Sequence, residues 1–432
     1  MYKHLFSLTL FLASPALLAA PKNIIYMIGD GMGPAYLAAY RYYMDDPATK
    51  DVESTIFDEL WRGVASTYPD DDTYVTDSAA GATALATGVK SYNGAISVNR
   101  QHIPLGTMMQ FAKRLGKANG IVASSQINHA TPASFLAHNK TRRAYNEIAD
   151  MYFDYRIDGK IVADVMLGGG TQYFVREDRD LVNEFKQQGF QYADSWQQLD
   201  KLTRIPAMAL LADVGLPAAL NTDIESPLAT LTSKALQLLS PAEKGFVLMV
   251  EGSQIDWCGH DNDIACAMAE MHDFAKAIKV ARDYVDQHPD TILIVTADHE
   301  TGGLSLGANG IYEWRTDVIK NVKATGRLLA EKLQAATSDA EALALWQQLT
   351  AVSLTEEQQK QLLSKRQGDT KTLREQLLEF ISTASNTGWT SGAHTAIDVP
   401  VLAYGKYRDD FAGFQDNTQI AKKLIQYIEQ TK

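Results

Sequence analysis

Asn23-Ile24-Ile25-Tyr26-Met27-Ile28 runs without a charged residue into Gly29-Asp30-Gly31. A short, continuously apolar run stopped by glycines reads as a strand buried on both faces. Such strands belong to parallel sheets covered by helices on both sides. The same arrangement recurs along the chain. Gly245-Phe246-Val247-Leu248-Met249-Val250 runs into Glu251-Gly252, and Thr291-Ile292-Leu293-Ile294-Val295-Thr296 runs into Ala297-Asp298-His299-Glu300. Ile121-Val122-Ala123 leads towards His129-Ala130-Thr131-Pro132, and Ala163-Asp164-Val165-Met166-Leu167 ends in Gly168-Gly169-Gly170. Ligands of parallel sheets gather beyond the carboxyl ends of the strands, so Asp30, Glu251, Asp298 and His299 are expected to meet in space. One strand ending on an acid is only a turn signal. Three of them, one followed at once by histidine, point to a metal site.

The expected fold class is α/β, a three-layer αβα sandwich around a large, mostly parallel sheet. Met271, Phe274, Ile278, Ala281 and Val285 keep helical spacing, which makes His272 a surface or packing residue rather than a ligand. From about residue 316 to 385 Gln, Glu, Lys, Leu and Ala dominate, with Leu373, Leu377 and Phe380 on one stripe and Ser353 with Glu356 resembling a capping box. This stretch reads as a helix-rich insertion before the chain returns at Gly392-Ala393-His394-Thr395. No linker tract, repeat or low-complexity segment divides residues 21–432, which are expected to form a single domain.

Composition narrows the function classes. The chain has 432 residues, 46% hydrophobic and 21% charged, and this ordinary globular balance argues against a disordered or fibrous protein. With 52 acidic against 40 basic side chains its net charge is −12, which argues against a nucleic-acid binding surface. A phosphate-bearing substrate would need local positive charge, and a metal can supply it. Lys3-His4, the apolar run Leu5 to Leu18 and the small residues Ala19 and Ala20 follow the order of a secretory signal peptide at residues 1–20. The apolar run is short for spanning a bilayer, so the mature chain is expected in the periplasm or outside the cell, not in the membrane. Two cysteines, Cys258 and Cys266, either close one short loop or stay free and buried.

Two further segments carry chemistry. Thr76-Asp77-Ser78-Ala79-Ala80-Gly81-Ala82 sets a serine at a helix start ahead of small residues. A serine there is usually a cap, but an exposed helix N-terminus also attracts anions and small residues admit a substrate. In Glu251-Gly252-Ser253-Gln254-Ile255-Asp256-Trp257-Cys258-Gly259-His260, Asp256 and His260 share a face if the segment is helical. They read as part of a zinc site completed by another histidine, for which His394 is the natural candidate. His102, His138 and His288 lack such acid partners.

Together, Ile28-Gly29-Asp30-Gly31-Met32-Gly33, Asp77-Ser78-Ala79-Ala80, Glu251 to His260, Thr296-Ala297-Asp298-His299 and Ala393-His394-Thr395 resemble the alkaline phosphatase family, in that family's order. The resemblance is greatest to secreted bacterial members, and Trp257 with His129 is similar to the marine, cold-adapted branch. It implies one zinc on Asp256, His260 and His394, and a second on Asp30, Asp298 and His299 with the Ser78 oxygen near it. It also implies a magnesium on Asp30, Thr131 and Glu251. Arg142 matches the phosphate-clamping arginine, with Asp77 orienting it and Arg143 as its neighbour in sequence. The donor sets suit those ions, since mixed His and Asp ligands favour zinc and oxygen-only ligands favour magnesium. Where some members carry an acid, this chain has His129, which is expected to face the third metal through a water. Trp257 is expected to shape the substrate mouth.

The implied activity is hydrolysis of small phosphate monoesters through a phosphoserine on Ser78, and a homodimer is implied only as the family's habit. The alternatives are a phosphodiesterase or sulfatase of the same superfamily, or a secreted metal- or phosphate-binding protein without turnover. No sulfatase-type motif surrounds Ser78, and Arg142, Thr131 and Glu251 favour a monoesterase.

Overall fold

The computed structural model describes residues 20–430, so all of the predicted signal segment except Ala20 lies outside the described residues. Ten strands build one sheet: β1 Asn23–Gly29, β2 Trp61–Ser66, β3 Ala118–Gln126, β4 Val165–Gly169, β5 Gln191–Ala193, β6 Ala207–Leu210, β7 Phe246–Gly252, β8 Thr291–Thr296, β9 Val399–Gly405 and β10 Gly413–Asp416. Their order across the sheet is β10-β2-β9-β8-β1-β7-β3-β4-β6-β5. Neighbours are parallel except the two pairs made by β9, which runs antiparallel between β8 and β2. The sheet is therefore mixed and mostly parallel, and the five runs read from the sequence occupy its centre.

Those central runs are apolar because neither face meets water. Every residue of β1, β3, β7 and β8 is buried. Helices α1 (Pro34–Met44), α5 (Pro227–Leu239) and α7 (Ile264–Gln287) pack together in one layer, while α2 (Ser78–Thr87), α3 (Met108–Arg114), α4 (Ala130–Leu136) and α13 (Asn417–Gln430) pack together in another. Met271, Phe274, Ile278, Ala281 and Val285 all face inward from α7. His272 on the same helix bonds the Tyr40 hydroxyl at 2.9 Å, a packing role.

Between β8 and β9 lie five helices: α8 Thr316–Lys320, α9 Gly326–Ala335, α10 Asp339–Thr350, α11 Glu356–Arg366 and α12 Thr370–Ser385. Leu373, Leu377 and Phe380 are buried, as their stripe requires. The expected Ser353–Glu356 box is displaced by two residues. Thr355 is the N-cap of α11 and pairs reciprocally with Gln358, because the helix begins at Glu356 and the N3 position is 358. The cysteines are bonded, Cys258 to Cys266. No helix among the described residues is long and apolar enough to cross a membrane.

Parallel register fixes where the acids fall. Ile28 stands opposite Thr296 on one side and opposite Glu251 on the other. Asp30 and Asp298, each two residues beyond those positions, therefore leave the sheet at the same edge as Glu251. Leu248, fully buried in β7, tests the core directly. Leu248→Ala is expected to cost about 2–5 kcal/mol in unfolding experiments on the metal-free protein. Tyr312→Ala, at a fully exposed position, should stay within about 0.5 kcal/mol.

Candidate metal centre and active site

Four adjacent strands, β8-β1-β7-β3, end at this edge, and each delivers polar side chains into a buried space. Asp30, Glu251, Asp298, His299 and Thr131 are entirely shielded from solvent, and Ser78, Asp256 and His129 are nearly so. The turn after β1 uses Gly31 at φ +73°, and a Cβ there would lie 2.7 Å from Thr301 Oγ1 and 2.9 Å from Asp256 Cα. Only glycine lets this turn bring Asp30 so close to the neighbouring segments.

Two sets of donors converge. In the first, Asp256 and His260 lie one turn apart on α6 (Gln254–Asp261), with Asp256 Oδ2 3.4 Å from His260 Nε2. His394 Nε2 lies 3.1 Å from His260 Nε2 and 3.5 Å from Asp256 Oδ1. In the second, His299 Nε2 lies 3.1 Å from Ser78 Oγ, 3.2 Å from Asp298 Oδ2 and 3.4 Å from Asp30 Oδ1. Donors about 2.0–2.1 Å from a tetrahedral zinc stand roughly 3.4 Å from one another; the first set has that spacing, and in the second His299 Nε2 stands at that distance from each neighbour, with ligand atoms of Asp30, Asp256 and His299 within 4.8 Å of one another. A third grouping, Asp30, His129 and Glu251, has ligand atoms within 4.8 Å of one another. Thr131 Oγ1, Glu251 Oε1, Asp298 Oδ2 and both Asp30 oxygens lack a hydrogen-bond partner among the described residues. Buried polar atoms left bare are costly, and oxygens turned towards one another are what a bound cation satisfies.

The histidines are already set for this task. His260 Nδ1 meets the Gly392 carbonyl and His394 Nδ1 meets the Thr76 carbonyl, each at 2.8 Å. A carbonyl only accepts, so each Nδ1 carries a proton, which leaves Nε2 as the nitrogen that can face a metal. Burial pushes His299 far below the ordinary histidine range, which keeps it neutral. Burial also drives His129 down to about 3, helped by the Arg142 charge. Arg142 Nη2 donates to His129 Nε2 at 3.2 Å, which leaves the proton of His129 on Nδ1. That tautomer suits contact through a water rather than direct ligation.

The acids respond to the same crowding. Burial first, then Asp298, raises Asp30 well above the carboxylate range. Burial lifts Glu251 to about 7 and Asp298 to about 6. Burial also acts to raise Asp256, but the His394 hydrogen bond and the surrounding histidines win and hold it low. His394 is correspondingly raised by Asp256 against the pull of burial.

Ser78 opens helix α2, with Asp77 as N-cap accepting from Ala80 N at 2.9 Å. Gly81 lets that helix touch the chain at Asp298, since a Cβ there would stand 2.9 Å from the Asp298 carbonyl. Asp77 Oδ2 accepts from Arg142 Nη1 at 3.0 Å, while Arg143 is exposed. The Trp257 ring stands edge-on to His129 at 6.0 Å and packs on Gly215. All thirteen residues singled out in the sequence thus lie in or beside one constellation. His102, His138 and His288 stay outside it; His138, for example, is a buried bridge between Gln110 and the Ser97 carbonyl. A 630 Å³ cleft near Trp196 and Lys234 contains none of these side chains, so cleft volume does not mark the site.

Two contributors escaped the sequence reading. Thr301 donates its hydroxyl to Asp256 and lies 3.3 Å from His299 Nδ1, touching both zinc-like sets. Its signal was alternation, because residues 299 and 301 of an extended segment share a face. Asn93 steadies Asp77 by accepting its backbone N–H at 2.7 Å, a contact with no local sequence signature.

Comparison with known proteins decides the family. The family model described as Alkaline phosphatase matches residues 21–430. The chain belongs to the alkaline phosphatase family. As a member it is a phosphoric monoester hydrolase. It is 44% identical to Alkaline phosphatase 3 of Bacillus subtilis, a match covering 94% of this chain and 89% of that protein. A cold-active alkaline phosphatase from the psychrophile Shewanella sp. is 48% identical and superimposes with a TM-score of 0.88 over 94% of this chain and 99% of that one. A histidine-to-glutamate mutant of the TAB5 alkaline phosphatase, with Mg bound in the M3 site, is 28% identical at a TM-score of 0.71, covering 95% of this chain and 99% of that one.

Groups whose pKa rises on folding favour the protonated native state. For Glu251 and Asp298 the resulting loss of stability grows as pH climbs from the unfolded values near 4 through about 6 and about 7. Cation binding requires ionised carboxylates, so magnesium added to the metal-free protein should release more protons at pH 6 than at pH 8, because Glu251 and Asp298 ionise unaided between those values. Calorimetry in buffers of differing ionisation enthalpy reads it, and Glu251→Gln should remove most of it. Equal release at both pH values would contradict this account.

Proposed function

We propose that this family member hydrolyses phosphate monoesters through a phosphoserine on Ser78, with two zinc ions and one magnesium. The observation that carries the reading is the crowding of Ser78 Oγ, Asp30 Oδ1 and Asp298 Oδ2 within 3.1–3.4 Å of one neutral histidine nitrogen. Asp256, His260 and His394 would hold one zinc; Asp30, Asp298 and His299 would hold the other. Asp30, Thr131 and Glu251 would hold magnesium, with His129 facing it through a water. Bound there, these ions supply Lewis-acid polarisation and lower the pKa of coordinated oxygens.

The chain's own groups account for the rest. Ser78 Oγ gives up its hydroxyl proton and forms the bond to phosphorus in line with the departing alcohol oxygen, whose bond to phosphorus breaks and which takes up a proton to leave as the alcohol. Water then cleaves the Ser78–phosphate ester, releasing inorganic phosphate and regenerating the hydroxyl. Arg142, levelled by Asp77, grips two equatorial oxygens through its planar fork. The N-terminus of α2 adds its backbone N–H groups and dipole at the nucleophile. Trp257 lines the mouth beside His129. Residues 21–432 act as one catalytic domain, supported by ligands that come from Asp30 at one end of it and His394 near the other. Export before processing near Ala19 or Ala20 is supported by the order of residues 1–20 and by the Cys258–Cys266 bond, which suits an oxidising compartment.

The test is hydrolysis of a chromogenic phosphomonoester by the mature protein, before and after chelation and after zinc and magnesium are restored. Ser78→Ala is expected to lower kcat by at least about a thousandfold, and Arg142→Ala chiefly to raise KM and weaken phosphate inhibition. Turnover of a phosphodiester alone would move the reading to a diesterase. Zinc binding without turnover of either ester would make this a binding protein.

A further inference from the structure

Glu300 is buried to 2% exposure, and its carboxylate accepts three donors. Oε1 takes the Gly303 and Leu304 N–H groups at 2.9 and 3.3 Å, and Oε2 takes the Thr395 hydroxyl. The first two contacts fold the turn at Gly302 and Gly303, both at positive φ, which follows His299. The third reaches across a short antiparallel ladder in which Glu300 pairs with Thr395 and Thr301 with His394. The stem of the same side chain packs on Gly33, where a Cβ would stand 2.1 Å from Glu300 Cγ. One side chain therefore touches the turn carrying Asp30, the strand end carrying Asp298 and His299, and the segment carrying His394.

We infer that Glu300 is a positioning residue: through Thr395 it holds His394 against Asp256 and His260, and so sets how long zinc stays in that set. The inference rests on the reading above that Asp256, His260 and His394 hold zinc. His394 is the ligand that most needs such a brace, because it returns to the site after the five helices α8–α12. Backbone bonds such as Gly302 N–H to the Ala393 carbonyl at 2.9 Å would survive loss of the side-chain link. The segment then stays in place while the His394 ring loses its register, which predicts a selective effect on one metal set. Glu300 itself belongs to none of the ligand groupings.

The experiment follows zinc release from the metal-loaded full chain into a colorimetric chelator, with Tm recorded in excess zinc. Thr395→Val keeps the branched shape and removes the hydroxyl; Thr395→Ser restores it. In Thr395→Val one of the two zinc equivalents should leave about 10–100-fold faster, the other at the wild-type rate, and Thr395→Ser should return to within about twofold of wild type. Tm in excess zinc should hardly move. Both equivalents leaving at the wild-type rate would overturn the inference. So would acceleration of both together with a lowered Tm, which would make the link a support of the fold as a whole. If the wild-type protein retained no zinc, the metal reading would fail with it, and that failure shows before any substitution is made.

Discussion

Three carboxylates, Asp30, Glu251 and Asp298, are forced by parallel register to the same buried edge of the sheet, and the rest of the site follows from that repulsion. Desolvation alone opposes ionising even one of them. Protons can relieve both: burial first, and a neighbouring acid after it, raises Glu251 and Asp298. Divalent cations relieve them better, because they satisfy several bare oxygens at once and allow every acid to ionise. The sheet supplies the reason the acids cannot move apart: their strands are buried on both faces, and a one-residue slip of any of them would swap its side chains between two close-packed faces and spoil the fit on each.

Around that core the chain places groups that present lone pairs or positive charge rather than more negative charge. The imidazoles of His260, His299 and His394 have their orientation set by backbone carbonyls or by Thr301. The start of helix α2 brings Ser78 and a positive dipole to the same point, and the small residues that follow let it sit against Asp298. Arg142 enters from the far side, held level by Asp77. In a protein of net charge −12, cations bound among these acids would join Arg142 and the start of α2 in supplying the local positive charge that a phosphate dianion requires.

Much of this was legible in the sequence. Continuous apolar runs ending in Gly-Asp-Gly, Glu-Gly and Asp-His carried both the sheet and its reactive edge, because buried parallel strands leave little freedom in composition. The i, i+4 spacing of Asp256 and His260 carried a helical face. The outer strands were not legible. β2 is exposed at Trp61, then alternates half-buried and buried positions, and contains Arg62 and Gly63, while β9 carries Pro400, which weakens a strand signal although it sits in the ladder opposite Val64. The capping box of α11 was read two residues early because Ser353 and Glu356 satisfy the same spacing as the true pair. Thr301, Asn93 and Glu300 act through contacts distant in sequence or through strand alternation too short to register.

The most direct measurement of the central claim is a crystal structure of the zinc-loaded protein with anomalous data collected on both sides of the zinc edge. The account predicts two anomalous peaks, one within coordinating distance of Asp256, His260 and His394, the other within coordinating distance of Asp30, Asp298 and His299 and beside Ser78 Oγ. Absence of anomalous density at either set, with zinc bound elsewhere on the chain, would contradict it.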